Sequence, residues 1–202
     1  ITKLNYVIGT HPHEDHIGGL DDVINSDLKI ENLWMPKIQT NTKTFEDVLD
    51  AVKNKGLKVT APNKGDSFEI GKAKCEVMTD SILNKDNLNL SSIVIRLEFE
   101  NNSFLFMGDA ETANEKTRTW MKTDVLKVGH HGSNTSSSED FLKQINPTYA
   151  VIMAGKNNSY GLPKQKILDR LAKIGAKVYR TDEEGTIMMI SNGNNIEVKE
   201  NT

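Results

Sequence analysis

The chain has 202 residues and a mass of 22.5 kDa, enough for one medium-sized domain with a sizeable core. Apolar residues make up 37% and charged residues 26%, the balance of an ordinary soluble protein, and no apolar run approaches the length of a membrane span. The net charge of −3 is unevenly spread: residues 1–114 carry 12 Lys/Arg against 18 Asp/Glu, 115–180 carry 12 against 5, and 181–202 carry 1 against 5. The central basic block offers an anionic partner a favourable field, or supplies solvated helix faces.

LNYVIGT (4–10) reads as a buried strand, and residues 17–25 have helical spacing with Leu20, Val23 and Ile24 on one side. NLWMP (32–36) is a short strand stopped by Pro36. Residues 42–56 form a helix, with Phe45, Val48, Leu49 and Val52 at helical spacing and Gly56 as its stop. Short strands occupy 58–80 around turns at Pro62-Asn63 and Ile70-Gly71. Cys75, the single cysteine, excludes an intramolecular disulfide and a cysteine-built zinc cage and suits a buried strand. Residues 92–109 alternate as a hairpin around an Asn-Asn turn. A helix is predicted over 111–122, a strand over 124–129, and a capped helix over 136–145. A strand over 148–155 precedes a helix over 163–175 with Pro163 at its opening position. Strands at 176–181 and 185–190, separated by a solvated acidic turn at 182–184, and a short last strand complete the chain. Trp34 and Trp120 follow core patterns. Alternating helices and strands around a central hairpin predict a layered α/β fold with mixed sheets.

Three polar clusters stand out. In THPHEDHIGG (10–19), three of the chain's five histidines and two acids crowd a strand end. His11 and His13, two apart in extended chain, point one way, while Asp15 and His16 face another. One loop can therefore serve two neighbouring metals, and nitrogen with carboxylate ligands suits Zn, Mn or Fe. In FLFMGDA (104–110), Asp109 leaves an apolar strand as a ligand or as a helix cap. In LKVGHHGS (126–133), His130 and His131 end another buried strand. All five histidines thus lie at the ends of two strands, where layered α/β folds build sites.

HPHEDHIGG, GDA, DVLKVGHHGSNTSSSEDFL and YAVIMAGKNNSYGLP together resemble the metallo-β-lactamase superfamily, and within it the metallo-hydrolase domain of ComEC-type competence proteins and their stand-alone relatives. The resemblance runs from residue 4 to about 190. It implies a four-layer αβ/βα sandwich with mixed sheets over a single domain, 1–202, and two divalent metals bridged by a hydroxide. By motif position His11 and His13 would hold one metal and Asp15 and His16 the other, with Asp109 bridging. One of His130 and His131 would complete the second site, and the other would support it or donate a proton.

Three departures from the family pattern bear on this expectation. Where many members supply another histidine, this chain has NLNLSSIVI, with Asn89 and Ser92, so the first metal should bind more weakly. A His-Pro expected after Tyr-Gly reads Leu162-Pro163 here, following Tyr160-Gly161. The family domain also begins with several strands ahead of the HxHxDH segment. The N-terminal strands are expected to be missing from this chain, leaving an apolar sheet edge whose partner is the absent part of its own domain.

The expected reaction is metal-assisted hydrolysis, with Asp15 orienting the hydroxide and Asp15, His130 and His131 as the catalytic set. Ser133 and Asn134 would bind a substrate oxyanion or simply start the next helix. Asn89, Ser92 and Tyr160 complete the candidate substrate contacts. The expected substrate is an anionic phosphodiester, DNA or RNA, favoured by the basic stretch from Lys156 to Arg180. Two alternatives stand beside it: a smaller phosphate ester of cell-wall or choline type, and a metal-stabilised binding module without turnover.

Overall fold

A computed structural model describes residues 1–199. In chain order, the chain opens with β1 (Lys3–Ile8), α1 (Glu14–Ile17), α2 (Leu20–Asn25), β2 (Lys29–Trp34) and α3 (Lys43–Lys55). Then come β3 (Val59–Thr60), β4 (Ser67–Ile70), β5 (Ala73–Val77), β6 (Ile95–Phe99), β7 (Asn102–Phe106), α4 (Thr112–Glu115) and β8 (Val125–Lys127). The last third holds α5 (Glu139–Ile145), β9 (Tyr149–Ile152), α6 (Gln165–Lys173), β10 (Lys177–Arg180), α7 (Thr181–Glu184), β11 (Met188–Ser191) and β12 (Ile196–Lys199). Short 3-10 turns at Leu88–Ser91 and Gly129–Gly132 lie between them.

Three sheets result. The small one is wholly parallel, ordered β1-β2-β3, with β1 at its edge. The large one has seven strands ordered β10-β9-β8-β7-β6-β5-β4, and is mixed: β7 to β10 run parallel, while β4 to β7 are antiparallel. A separate hairpin pairs β11 with β12.

Three apolar clusters stack these elements into four layers. Ile17, Ile24, Phe45, Val48 and Val52 of the first helices pack on Ile30 and Leu33 of the small sheet. Trp34, Phe68, Cys75, Val77, Ile93 and Ile95 fill the space between the sheets, joined by Tyr6 and Ile8. On the far face Val94, Leu105 and Leu126 meet Phe141, Leu142, Ile167 and Leu171 of α5 and α6, with Trp120. Strand period explains the sorting: Ile93 and Ile95 face one cluster and Val94 between them faces the other. The α/β class with a mixed sheet and flanking helices is as the sequence predicted.

Helix α3 matches its expectation closely. Thr42 accepts the Phe45 N–H as its cap, and Gly56 closes it at φ 68°. Four expectations need correction. The helix predicted over 17–25 is split by Gly18-Gly19 into α1 and α2. The one predicted over 111–122 stops after a single turn at Glu115, because the Glu115 carbonyl accepts the Trp120 indole N–H instead of a helical amide. Pro163 lies outside α6, whose cap position is Lys164. The acidic turn at 182–184 is one helical turn, α7, tied back by the Asp182 pair with Arg180 and the Arg180 N–H donated to Glu184.

A candidate metal centre

The polar clusters meet where β1, β7 and β8 end. Strand β1 leads to His11, β7 to Asp109 and β8 to His130-His131, so side chains distant in sequence converge at one rim. Backbone geometry there is demanding. Gly108 sits at φ 53°, and a side chain on it would press on the Cβ atoms of Ser92 and Thr10 at 3.2 Å. His130 (φ 46°, ψ 47°) and His131 (φ 51°, ψ 23°) are consecutive left-handed residues that are not glycine. Such conformations cost about 1–3 kcal/mol each and persist where surroundings enforce them. Here the enforcing bonds are Ser133 N–H to the His130 carbonyl (2.7 Å), the Ser136 hydroxyl to the Gly129 carbonyl (2.7 Å) and Lys164 N–H to the Gly132 carbonyl (3.0 Å).

At the centre is Asp109, 2% exposed. Its Oδ1 lies 3.1 Å from His16 Nε2, and its Oδ2 lies 3.4 Å from His131 Nε2 and 3.8 Å from His11 Nε2. The 3.1 Å approach is not a well-directed hydrogen bond, so Oδ1 is a buried oxygen without a hydrogen-bond partner. Burial opposes ionisation of Asp109, but His131, His16 and Lys127 outweigh it and hold the carboxyl well below the usual carboxylate range. Asp15 Oδ2 stands 3.1 Å from His131 Nε2 and 3.6 Å from His16 Nε2. One ligand atom from each of Asp15, His16, Asp109 and His131 fits within 4.8 Å of the others. A compact nitrogen-and-oxygen set with an orphaned carboxylate oxygen suits a divalent cation.

His11 and His13 form a second group, with His11 Nε2 3.1 Å from His13 Nδ1. His11 is fully buried, and burial together with His16 pushes its pKa down to about 3, so the ring is neutral and able to ligate. Of the adjacent pair, His131 joins the Asp15 group. Its Nδ1 lies 2.6 Å from the Met153 carbonyl, which can only accept, so Nδ1 carries the proton and Nε2 faces the centre. His130 faces the other way. Its Nδ1 is near Thr135 Oγ1 (2.9 Å) and Glu111 Oε1 (3.3 Å), and its Nε2 is 3.9 Å from Asp109 Oδ2.

Five supporting groups were not singled out from sequence: Thr10, Glu111, Lys127, Thr135 and the Met153 carbonyl. Thr10 Oγ1 lies 3.2 Å from His11 Nδ1 and 3.5 Å from His16 Nδ1. Glu111 accepts from Asn87 and Asn89 as well as facing His130. Lys127, largely buried, donates to the Gly108 carbonyl and lies 3.9 Å from Asp109 Oδ1. Burial lowers its pKa, with Asp109 and Asp15 opposing. A cavity of about 520 Å³ opens on the centre, lined by His13, Asp15, Asn89, Asp109, His130, His131 and Tyr160 among others. Ser92 is fully buried, does not line the cavity, and accepts the Asp109 N–H, so it positions Asp109. Ser133 and Asn134 do not line the cavity, and Ser138, not they, caps α5.

Similarity to known proteins agrees with this geometry. Residues 1–156 match the family model of the metallo-beta-lactamase superfamily. The chain is 36% identical over 191 residues to ComE operon protein 3 of Bacillus subtilis, covering 93% of the chain and 24% of that protein. It is 42% identical over 101 residues to Recombination protein 2 of Haemophilus influenzae, covering 49% of the chain and 13% of the relative. The chain therefore spans a quarter or less of these relatives' lengths. Among solved structures, CmlA, a diiron beta-hydroxylase from Streptomyces venezuelae, superposes with a TM-score of 0.60 at 12% identity, over 89% of this chain and 44% of that one. The metallo-beta-lactamase fold protein YhfI from Bacillus subtilis superposes at 0.55 and 10% identity, over 88% and 74%. The fold, the motifs and a family match over residues 1–156 identify the chain as a member of the metallo-β-lactamase superfamily.

Proposed function

We propose that this chain is a metal-dependent hydrolase that cleaves phosphodiester bonds in DNA or RNA, acting as a single hydrolase domain. The observation that carries the metal dependence is the buried, partnerless Asp109 Oδ1 facing His16 and flanked by His131 and Asp15. In this reading His11, His13 and Asp109 would hold one divalent ion, and Asp15, His16, Asp109 and His131 would hold the other, with Zn, Mn or Fe matching the donors. Bound there, such ions supply Lewis acidity and lower the pKa of a bound water toward about 7.

The chain's own groups do the rest. Asp15, with its side chain 63% exposed, lines the cavity and offers Oδ2 to orient the attacking water. Lys127 adds a largely buried positive charge 3.9 Å from Asp109 Oδ1, which favours negative charge at the centre. His130, its Nδ1 held by Thr135 and Glu111, turns Nε2 toward the cavity to protonate the leaving oxygen. The relative named Recombination protein 2, together with the basic stretch from Lys156 to Arg180, favours nucleic acid over a smaller ester.

The test is a cleavage screen of Mn- and Zn-loaded protein with single-stranded DNA, duplex DNA, RNA, bis(p-nitrophenyl) phosphate and p-nitrophenylphosphorylcholine. DNA or RNA cleavage that is lost in Asp109→Ala supports the proposal. Metal-loaded protein that cleaves the choline ester alone, or nothing, contradicts it.

A further inference from the structure

A second pocket, about 410 Å³, adjoins the cavity over the metal centre. The two share Asp15, His131, Tyr160 and Leu162, so those residues form the wall between them. The first chamber carries most of the titratable side chains, whereas the second continues into Met153, Ala154, Gly155, Asn158 and Thr181. Its volume is within the ordinary range of ligand sites, roughly 300–1,000 Å³. A group entering it would be attached to whatever occupies the metal centre.

Tyr160 is the unexplained residue there. Its side chain adds nothing to a core, being 77% exposed. Tyr6 stacks on Phe68, and Tyr149 pairs with Tyr179, but among the described residues Tyr160 has no ring partner. Yet its backbone is firmly held. Asn158 donates to the Gly155 and Leu162 carbonyls (2.9 and 2.7 Å) and accepts the Leu162 N–H (3.0 Å), stapling the loop on both sides. Lys164 Nζ donates to the Tyr160 carbonyl at 2.6 Å. A pinned loop that offers an uncovered aromatic face at the mouth of a site is built for stacking.

We propose that this pocket seats the nucleobase next to the scissile phosphate, with Tyr160 as its stacking face and Met153 and Leu162 as its apolar walls. The inference rests on the phosphodiester reading above. The pocket also takes all bases alike. Two of its uncharged polar side chains are committed elsewhere: Asn158 to the loop, and the Thr181 hydroxyl to the Ala154 N–H and carbonyl (both 2.9 Å). Asp15 and His131 face the metal centre. Among the described lining residues that leaves the Tyr160 hydroxyl, carried on the stacking ring itself, as the uncommitted uncharged group, and stacking is tolerant because every base has a flat face.

The experiment measures binding to metal-loaded protein by calorimetry, using the four deoxynucleoside 5′-monophosphates, 2-deoxyribose 5-phosphate and phosphocholine. Each nucleotide is expected to bind at least about ten-fold tighter than the baseless sugar phosphate, with the four within about three-fold of one another. Tyr160→Ala should remove that advantage, Tyr160→Phe should keep it, and Met153→Glu should reduce it independently. Equal binding of nucleotide and baseless sugar phosphate overturns the inference alone, as does an advantage that survives Tyr160→Ala. Phosphocholine binding tighter than every nucleotide overturns it in favour of a smaller ester. Failure of every phosphate to bind overturns the phosphodiester reading itself.

Discussion

Nε2 of His16 and Nε2 of His131 stand 3.1 Å apart although 115 positions separate them in the chain. The Met153 carbonyl takes the Nδ1 proton of His131, so in the neutral ring Nε2 presents a lone pair toward His16 and Asp109. Such a meeting needs a proton or a metal ion between the two nitrogens. Without metal it is a proton, and the Asp109 carboxylate beside His131 raises the pKa of that ring. When a divalent ion is bound, His16, His131 and Asp109 would hold it in place of that proton.

Glu111 is the test of support around the ligands. It accepts from Asn87 and Asn89 and faces His130, so Glu111→Ala leaves these groups without their acceptor. Hydrolytic activity of the metal-loaded protein is expected to fall about 10- to 100-fold, with only a modest drop in melting temperature. Unchanged activity would remove Glu111 and the orientation of His130 from the account.

Acid and alkali are expected to destabilise the metal-free protein for different reasons. His11 has a folded pKa of about 3 against 6.5 unfolded. Between those values the unfolded chain holds a proton that the folded one does not, so stability falls as pH drops below 6.5. His131 runs the other way: its folded pKa is raised, so its contribution is complete below 6.5 and fades as pH rises through the folded value. Asp109 matters only below its unfolded value of 3.8. Thermal melts of metal-stripped protein should peak near pH 6.5, with His11→Asn flattening the acid side and His131→Asn the alkaline side.

Buried Glu115 holds the loop that continues from His131. Its carboxylate accepts the N–H groups of Ser137 and Ser138, and burial raises its pKa against those bonds. Glu115→Ala leaves both amides unpaired and is expected to cost about 2–5 kcal/mol in urea unfolding. Metal affinity should fall with it, and Glu115→Gln should lose less of both.

Gly132 is fixed by space as well as conformation. Its φ is 79°, and an added Cβ would lie 2.7 Å from Pro163 Cβ. Gly132→Ala is expected to cost about 2–4 kcal/mol in denaturant unfolding. It should also weaken metal binding, since His131 precedes it. A variant as stable as the parent would show that the two loops are not packed as described.

Much of this was legible in the sequence because it is local. Period and caps marked β1, α3 and the hairpin of β6 and β7, and the histidine spacing marked the rim. The rest depends on partners brought by folding. Lys127 reads as an ordinary strand residue until β8 lies beside β7 and its ammonium meets the Gly108 carbonyl. Glu111 reads as a helix start until the turn at Leu88–Ser91 brings Asn87 and Asn89 to it. The choice between His130 and His131 turns on two left-handed residues and a carbonyl 22 positions away, which no motif encodes. The helix predicted at 111–122 failed because Trp120 and Ser137 claim Glu115 at both its carbonyl and its carboxylate.

The most direct test is metal content per chain, by elemental analysis of protein purified without a histidine tag. The account expects about two equivalents of Mn, Zn or Fe in the parent and a clear loss in Asp109→Ala. A content near zero after soaking in all three metals would contradict it.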